Sequence, residues 1–344
     1  SSLAGLLHPS GCKKDDTMLA DLVRLSEQAP GSIEFYQVQK GGGKRIETVP
    51  DSRFEALKAK KVHATVTQAW RMSSFSAMTR SQEVGAVHLQ KATEAGDTPA
   101  IGLKDFPRGA NSGDFFHSVF ENIDFTGPER DVKTEVDSQF KRFGFVQETD
   151  RKDAFKNVLD VIATPLDNKA SFLCLNEIKR DQRLNEMGFT LPIEGLTVKN
   201  MVHALSGSNR AVVDTGYPDR LMLLEPSHLD GFLKGFVDLI FQYHGRYYIA
   251  DYKSNYLGGH YESYAEKRLP EVMADHHYFL QYHIYLLALH RYLSVRMADY
   301  DYDTHIGGVY YLFIRGMLPE YRSKYGVFFD CPPKNVIEAL SDCL

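Results

Sequence analysis

Two apolar strand-like runs that each carry an acid constrain this chain more than any other feature. Residues 234–240, Lys-Gly-Phe-Val-Asp-Leu-Ile, and 247–253, Tyr-Tyr-Ile-Ala-Asp-Tyr-Lys, read as the arms of a hairpin. The strands are expected over 235–243 and 246–253, with the turn at His244-Gly245. Alternate side chains of a strand share a face. Asp251 and Lys253 therefore point the same way, while Val237 and Leu239 are expected to point away from Asp238. A charge inside an apolar strand is costly unless it is paired or bound to a metal. Two explanations stand side by side. Asp251 and Lys253 can form an ion pair on a strand face. Alternatively, Asp238 and Asp251 hold a hard cation such as Mg²⁺, which binds carboxylate and water oxygens and leaves room for a substrate phosphate. In that case Lys253 steadies charge developing on phosphorus or orients the nucleophile.

Two helical pairs could add to such a site. His117 and Glu121 are four residues apart and share a helical face, so a neutral imidazole could complete a metal shell. A histidine with an ordinary i,i+4 partner fits the same spacing. Gln281 and Tyr285 are likewise four apart, placed to hold a phosphate or a water, or simply to pack an aromatic helix. His276, His277 and His283 lack HExxH spacing, and no G-x-S-x-G elbow is present. The four cysteines, Cys12, Cys174, Cys331 and Cys343, form no C-x-x-C pair and read as reduced structural thiols. Gly41-Gly42-Gly43-Lys44 lacks the glycine spacing of a phosphate loop and reads as a hairpin turn or exposed loop.

The rest of the chain frames these residues. A length of 344 residues allows about two domains, or one large domain with an appendage. The net charge of -5 excludes a strongly basic nucleic-acid-binding chain but leaves room for a local basic groove. No apolar run approaches the ~18–20 residues of a membrane span, and no signal peptide is expected. Helices are expected over 19–25, 114–122, 129–142, 153–163, 196–205 and 275–296, and strands over 184–193 and 305–314. Residues 81–112, rich in turn formers, read as a linker, and Ser73 or Ser74 could cap a helix leading into it. Helices and strands mixed in this order indicate an α/β or α+β layer fold.

Taken together, these pieces resemble the nuclease domain of the RecB family, the nuclease-bearing subunits of RecBCD-type helicase–nucleases (exodeoxyribonuclease V). The likeness rests on residues 234–239 with 251–258, 106–117, 185–193, 281–292, 298–302 and 307–316, and it covers roughly 70–344. It implies an α/β fold with a restriction-endonuclease-like PD-(D/E)XK core. That core is a mixed central sheet flanked by helices, here with a helical N-terminal extension. Carried over residue by residue, the metal ligands are His117, Asp238, Asp251 and the backbone carbonyl of Tyr252. Lys253 is the catalytic lysine, and Gln281 and Tyr285 form the family's Q-x-x-x-Y helix. Glu121 and Glu186 are further acids near the ligands. The implied activity is hydrolysis of DNA phosphodiesters during double-strand break processing and recombinational repair. The implied cofactor is Mg²⁺, with Mn²⁺ as an alternative and Ca²⁺ binding without supporting turnover. Implied partners are DNA, single strands preferred, RecC-like and RecD-like subunits, and a RecA-like recombinase, in the cytoplasm and without a membrane. A docking module for RecC-like and RecA-like partners, with little nuclease activity of its own, is the alternative. The helicase's Walker motifs are absent, so residues 1–80 are expected to be a remnant of the helicase portion and its tether, 81–112 a linker, and 113–344 the nuclease domain.

Overall fold

The computed structural model describes residues 15–28, 71–74, 98–167, 173–208, 210–223 and 229–344. The chain divides into two compact units, Ser1–Val66 and Thr67–Leu344. In the first, the described element is helix α1 (Asp15–Gln28), which contains the helix expected over 19–25. The expected turn at Gly41–Gly43 and most of the expected linker, residues 81–97, lie outside the described residues.

The second unit is a six-stranded mixed sheet with helices on both faces. Its strands are β1 (Arg71–Ser74), β2 (Arg183–Leu196), β3 (Leu229–Tyr243), β4 (Arg246–Lys253), β5 (Ile306–Phe313) and β6 (Val327–Asp330). Strand β3 is the hub. It pairs antiparallel with β2 along most of its length, antiparallel with β4 from Leu239 to Tyr243, and parallel with β1 at Gly231 to Lys234. The β3–β4 turn has positive φ at both His244 and Gly245, the mirror-image turn whose twist matches a hairpin. Strands β4 and β5 run parallel, so the chain between them must cross over, and it does so through helices α8 (Leu269–Asp275) and α9 (Tyr278–Arg296). Strand β6 closes the far edge antiparallel to β5.

Helices α2 (Ala110–Asn122), α3 (Glu129–Arg142) and α4 (Glu148–Ala163) cover one face through Phe115, Phe116, Val136 and Val158. Helix α9 covers the other, with α5 (Val198–Leu205), α6 (Arg210–Asp214), α7 (Tyr217–Leu221) and α8 around it. The short α10 (Tyr302–His305) leads into β5, and α11 (Lys334–Asp342) packs on the α9 side. Acids in the first turn of α3 and Lys141 and Arg142 in its last turn match the helix dipole. Helix α5 begins where the Thr197 side chain accepts the Asn200 N–H.

Ser73 and Ser74 sit in β1, paired with β3, and the helix either was expected to cap lies outside the described residues. Three expectations are corrected. Helix α2 starts at Ala110, inside the stretch read as linker, because Gly109 (φ 99°) turns the chain directly into it. The helix expected over 275–296 is broken at His277 (φ 55°), so α9 begins at Tyr278. Finally, Val237 and Leu239 do not share a face. Val237 packs with the α9 core and Leu239 with the α2 core. On β2, Met187 packs with the α9 core, whereas Asn185 reaches α2 through a hydrogen bond to the Glu121 carbonyl. The alternation of both strands reverses at Glu186 and Asp238, where Glu186 adopts a left-handed backbone (φ 50°).

Candidate metal and catalytic site

The reversal opens the site. Pairing of β3 with β4 runs from the turn to Leu239–Ala250 and then stops. At the next position the Asp238 carboxylate replaces a backbone partner, accepting the Tyr252 N–H at 3.0 Å. The N–H and C=O of one residue in an extended strand leave on the same edge, so the Tyr252 carbonyl is directed into the same gap. The Tyr252 ring points the other way and stacks on Phe120 of α2, centroids 4.3 Å apart. That stack seats α2 against β4. One turn earlier on α2, His117 Nδ1 lies 3.2 Å from Asp238 Oδ2. Ligand atoms of His117, Glu186 and Asp238 all fall within 4.8 Å of one another. Glu121, the helical neighbour of His117, is exposed and is not part of that set.

Across the gap, Asp251 is 1% exposed, and its Oδ2 lies 2.6 Å from Lys253 Nζ. Lys253 donates to Gln281 Oε1 at 3.1 Å, and the Tyr311 hydroxyl donates to the same oxygen at 2.9 Å. Gln281 Nε2 donates to the Tyr285 hydroxyl at 2.9 Å. The ammonium also sits 4.2 Å from the Tyr278 ring centroid. Gln281 thus touches the lysine directly, and Tyr285 touches Gln281. Sequence reasoning missed Tyr311 and Tyr278. Tyr311 is the cross-strand partner of Asp251 in the parallel β4–β5 ladder, a relation that exists only once the crossover is known.

The charges are strongly coupled. Burial works against a charged His117, but the Asp238 carboxylate outweighs it and lifts the imidazole to about 9. Burial and the neighbouring Asp238 raise Glu186 to about 7 and Asp251 to about 6. Burial also opposes ionisation of Asp238, yet the charge and hydrogen bond of His117 hold it below the usual range. Lys253 is raised despite burial because Asp251 and Asp238 surround it. Three carboxylates crowd a gap served by one imidazole and one ammonium, so a divalent cation would relieve their repulsion. The donors are carboxylate oxygens, a backbone carbonyl and one imidazole, with no thiolate. That set fits a hard ion such as Mg²⁺ or Mn²⁺.

Arg315 holds the two sides of the gap together. Its guanidinium is 1% exposed and donates to the carbonyls of Ser254, Leu103, Phe106 and Pro107. The first follows Lys253 directly, and the other three lead into α2. The helix carrying His117 and the strand carrying Lys253 are therefore tied to one buried cation. Among the described residues, no helix is long and apolar enough to cross a membrane.

Comparison with known proteins identifies relatives of the chain. No protein-family model matches the chain. It is 32% identical over 319 residues to the RecB subunit of the RecBCD enzyme of Escherichia coli, an alignment covering 89% of this chain and 26% of that protein. The RecB subunits of Haemophilus influenzae and Mycobacterium tuberculosis are each 30% identical to it, over 86% and 90% of this chain. The chain spans between a quarter and a third of the length of these relatives. Over the stretch it shares with them, the chain belongs to the family of RecB subunits of RecBCD enzymes.

Proposed function

We propose that residues 113–344 are a divalent-metal-dependent DNA nuclease domain with a PD-(D/E)XK core, working as part of a RecBCD-type helicase–nuclease in the cytoplasm. The observation that carries this reading is the convergence of His117, Asp238, Asp251 and Lys253 on the gap where β3 and β4 part. His117, Asp238, Asp251 and the Tyr252 carbonyl would hold Mg²⁺ or Mn²⁺, with Glu186 beside them. When bound, the ion would neutralise a phosphodiester and lower the pKa of a water. The chain's own residues do the rest. Hydrolysis forms a bond from a water oxygen to phosphorus, and the bridging oxygen leaves with its bonding electrons and gains a proton. Lys253 is placed to stabilise negative charge on the phosphoryl oxygens, and Gln281 with Tyr311 fixes its direction. The Tyr252–Phe120 stack keeps His117 at the gap. Residues 1–80 would be a remnant of the helicase part and its tether, with RecC-like and RecD-like subunits and a RecA-like recombinase as partners.

The test is degradation of labelled single-stranded and linear double-stranded DNA in Mg²⁺, in EDTA, and by Lys253→Ala in Mg²⁺. Cleavage that requires both Mg²⁺ and Lys253 supports the proposal. A folded wild-type chain that cleaves neither substrate refutes an autonomous nuclease and leaves a docking module.

A further inference from the structure

Helix α2 carries His117, and its last turn is held by a neighbouring strand. The final carbonyls of a helix lie beyond the reach of its own N–H groups. At the end of α2, those of Glu121, Asn122 and Ile123 each accept a side-chain hydrogen bond from the chain entering β2. Asn185 Nδ2 donates to Glu121 at 2.5 Å, and Arg183 Nη2 donates to Ile123 at 2.5 Å. Arg180, in the single helical turn Arg180–Gln182 before β2, donates to Asn122 at 3.2 Å. The Arg183 guanidinium carbon lies 3.6 Å from the centre of the Phe125 ring, a stack that fixes the direction of its fork. Helix α2 supplies no such cation itself. Its last turn has no basic residue, and Glu121 adds negative charge to the negative end of the helix dipole. The two arginines from outside the helix offset both.

The placement of these bonds links them to the site. Asn185 directly precedes Glu186, and Glu121 lies one turn beyond His117 on the same helical face. The Asn185–Glu121 bond therefore joins α2 to β2 beside two side chains whose ligand atoms lie within 4.8 Å of each other. The left-handed backbone of Glu186 lets Asn185 grip α2 while the next carboxylate faces the gap. A bound ion accepts ligand distances only within ~0.2 Å, so a small slip of α2 along β2 would take His117 out of range. Arg315 already fixes the entry to α2, which leaves the end near β2 to set the remaining freedom of the helix.

We infer that Asn185 and Arg183 are positioning residues for the metal site, holding α2 on β2 so that His117 meets Glu186 and Asp238 at ligand spacing before an ion arrives. The inference rests on the metal-dependent reading of the site and adds the residues that preset its geometry. Both act through His117. A cap that only stabilised α2 would lower Tm and leave metal affinity unchanged.

The test is calorimetric titration of the full chain with Mn²⁺ alone, together with the nitrogen coupling of bound Mn²⁺ in pulsed electron paramagnetic resonance. The variants are Asn185→Ala, Arg183→Met and His117→Ala, and each of the first two combined with His117→Ala. Asn185→Ala and Arg183→Met should each weaken Mn²⁺ binding ~10- to 100-fold, the range for residues that orient metal ligands. Combined with His117→Ala, neither should weaken it beyond His117→Ala alone, because the route through the imidazole is already cut. The nitrogen coupling should be present in wild type, diminished in Asn185→Ala and Arg183→Met, and absent in His117→Ala. Should Arg183→Met fail to fold by its melting curve, Asn185→Ala decides, since it leaves both arginine bonds in place. Unchanged Mn²⁺ affinity and coupling in folded Asn185→Ala overturn the positioning role, as does a loss that adds in full to that of His117→Ala. If His117→Ala alone weakens binding, the metal site stands without the positioning residues. Equal Mn²⁺ binding by wild type and His117→Ala overturns both.

Discussion

Replacing Lys253 with methionine separates the work of this ammonium in folding from its work in chemistry. Methionine keeps the stem's length and removes the charge. In the wild type, Asp251 ionises near pH 6 because burial and Asp238 oppose its charge while Lys253 supports it. A shift from about 3.9 to about 6 costs ~3 kcal/mol at pH 7.5, at 1.36 kcal/mol per unit. Without Lys253, the carboxyl can escape its unpaired state by taking up a proton. At pH 7.5 that costs at most ~5 kcal/mol relative to the unfolded chain. The carboxylate side of the loss is therefore capped near ~2 kcal/mol, and the lost contacts to Gln281 and Tyr278 add ~1. For a unit of about 280 residues, the unfolding entropy of ~0.6 kcal/mol/K turns this into a Tm drop of ~4–5 °C. The sign of the pH dependence follows. The folded pKa is above the unfolded one, so the penalty grows as pH rises and shrinks below the folded value. At pH 5.5 the variant should therefore lose under ~1 kcal/mol on the carboxylate side. Mg²⁺ should raise the variant's Tm by more than the wild type's, because the ion no longer competes with an ammonium. Differential scanning fluorimetry at pH 7.5 and 5.5, in EDTA and in 10 mM Mg²⁺ (about the condition for saturating a millimolar site), reads all four values. An equal Tm drop at both pH values, with no larger Mg²⁺ effect in the variant, would refute the coupling of Lys253, Asp251 and metal.

Metal binding should strengthen with pH between about 6 and 9, since Glu186 near 7 and His117 near 9 must lose protons to act as ligands; calorimetric Mn²⁺ titrations in two buffers of different ionisation heat would count the protons released. Asp251→Ala should abolish cleavage while the far-UV circular dichroism stays native, and a collapsed spectrum would instead assign Asp251 to the framework. His283 is fully buried, bonded to the Phe279 carbonyl and Ser208, and burial holds its pKa at about 4. The folded form therefore excludes a proton that the unfolded chain accepts near 6.5. The stability it contributes is full above that value and falls by ~3 kcal/mol by pH 4; His283→Gln should flatten the Tm–pH curve over that window. Gly235→Ala would place a Cβ 2.5 Å from the Phe189 ring, which packs on Tyr285. A loss of ~1–3 kcal/mol in urea unfolding is expected.

Much of the site was legible because strand chemistry is strict. Asp238, Asp251 and Lys253 stand out where period-two apolar runs should carry no charge, and the turn at His244-Gly245 announces the hairpin. What escaped the sequence depends on the third dimension. A left-handed Glu186 leaves no local signature, so two residues that should share a face divide between two cores. Tyr311 reaches Gln281 only through a parallel pairing made after a crossover of some fifty residues. His277 restarts the helix with a left-handed backbone, a turn that the polar run Asp275-His276-His277 does not announce in the sequence.

The acceptors of Arg315 are all peptide carbonyls, and this has a consequence under acid stress. Carboxylates and imidazoles lose or gain charge across the ordinary pH range, but a carbonyl dipole does not. Burial lowers the pKa of the guanidinium, yet an arginine stays cationic in proteins. Acidification should therefore protonate Asp251 and Glu186 and strip the gap of negative charge, while the four carbonyl contacts of Arg315 between α2 and β4 keep their strength.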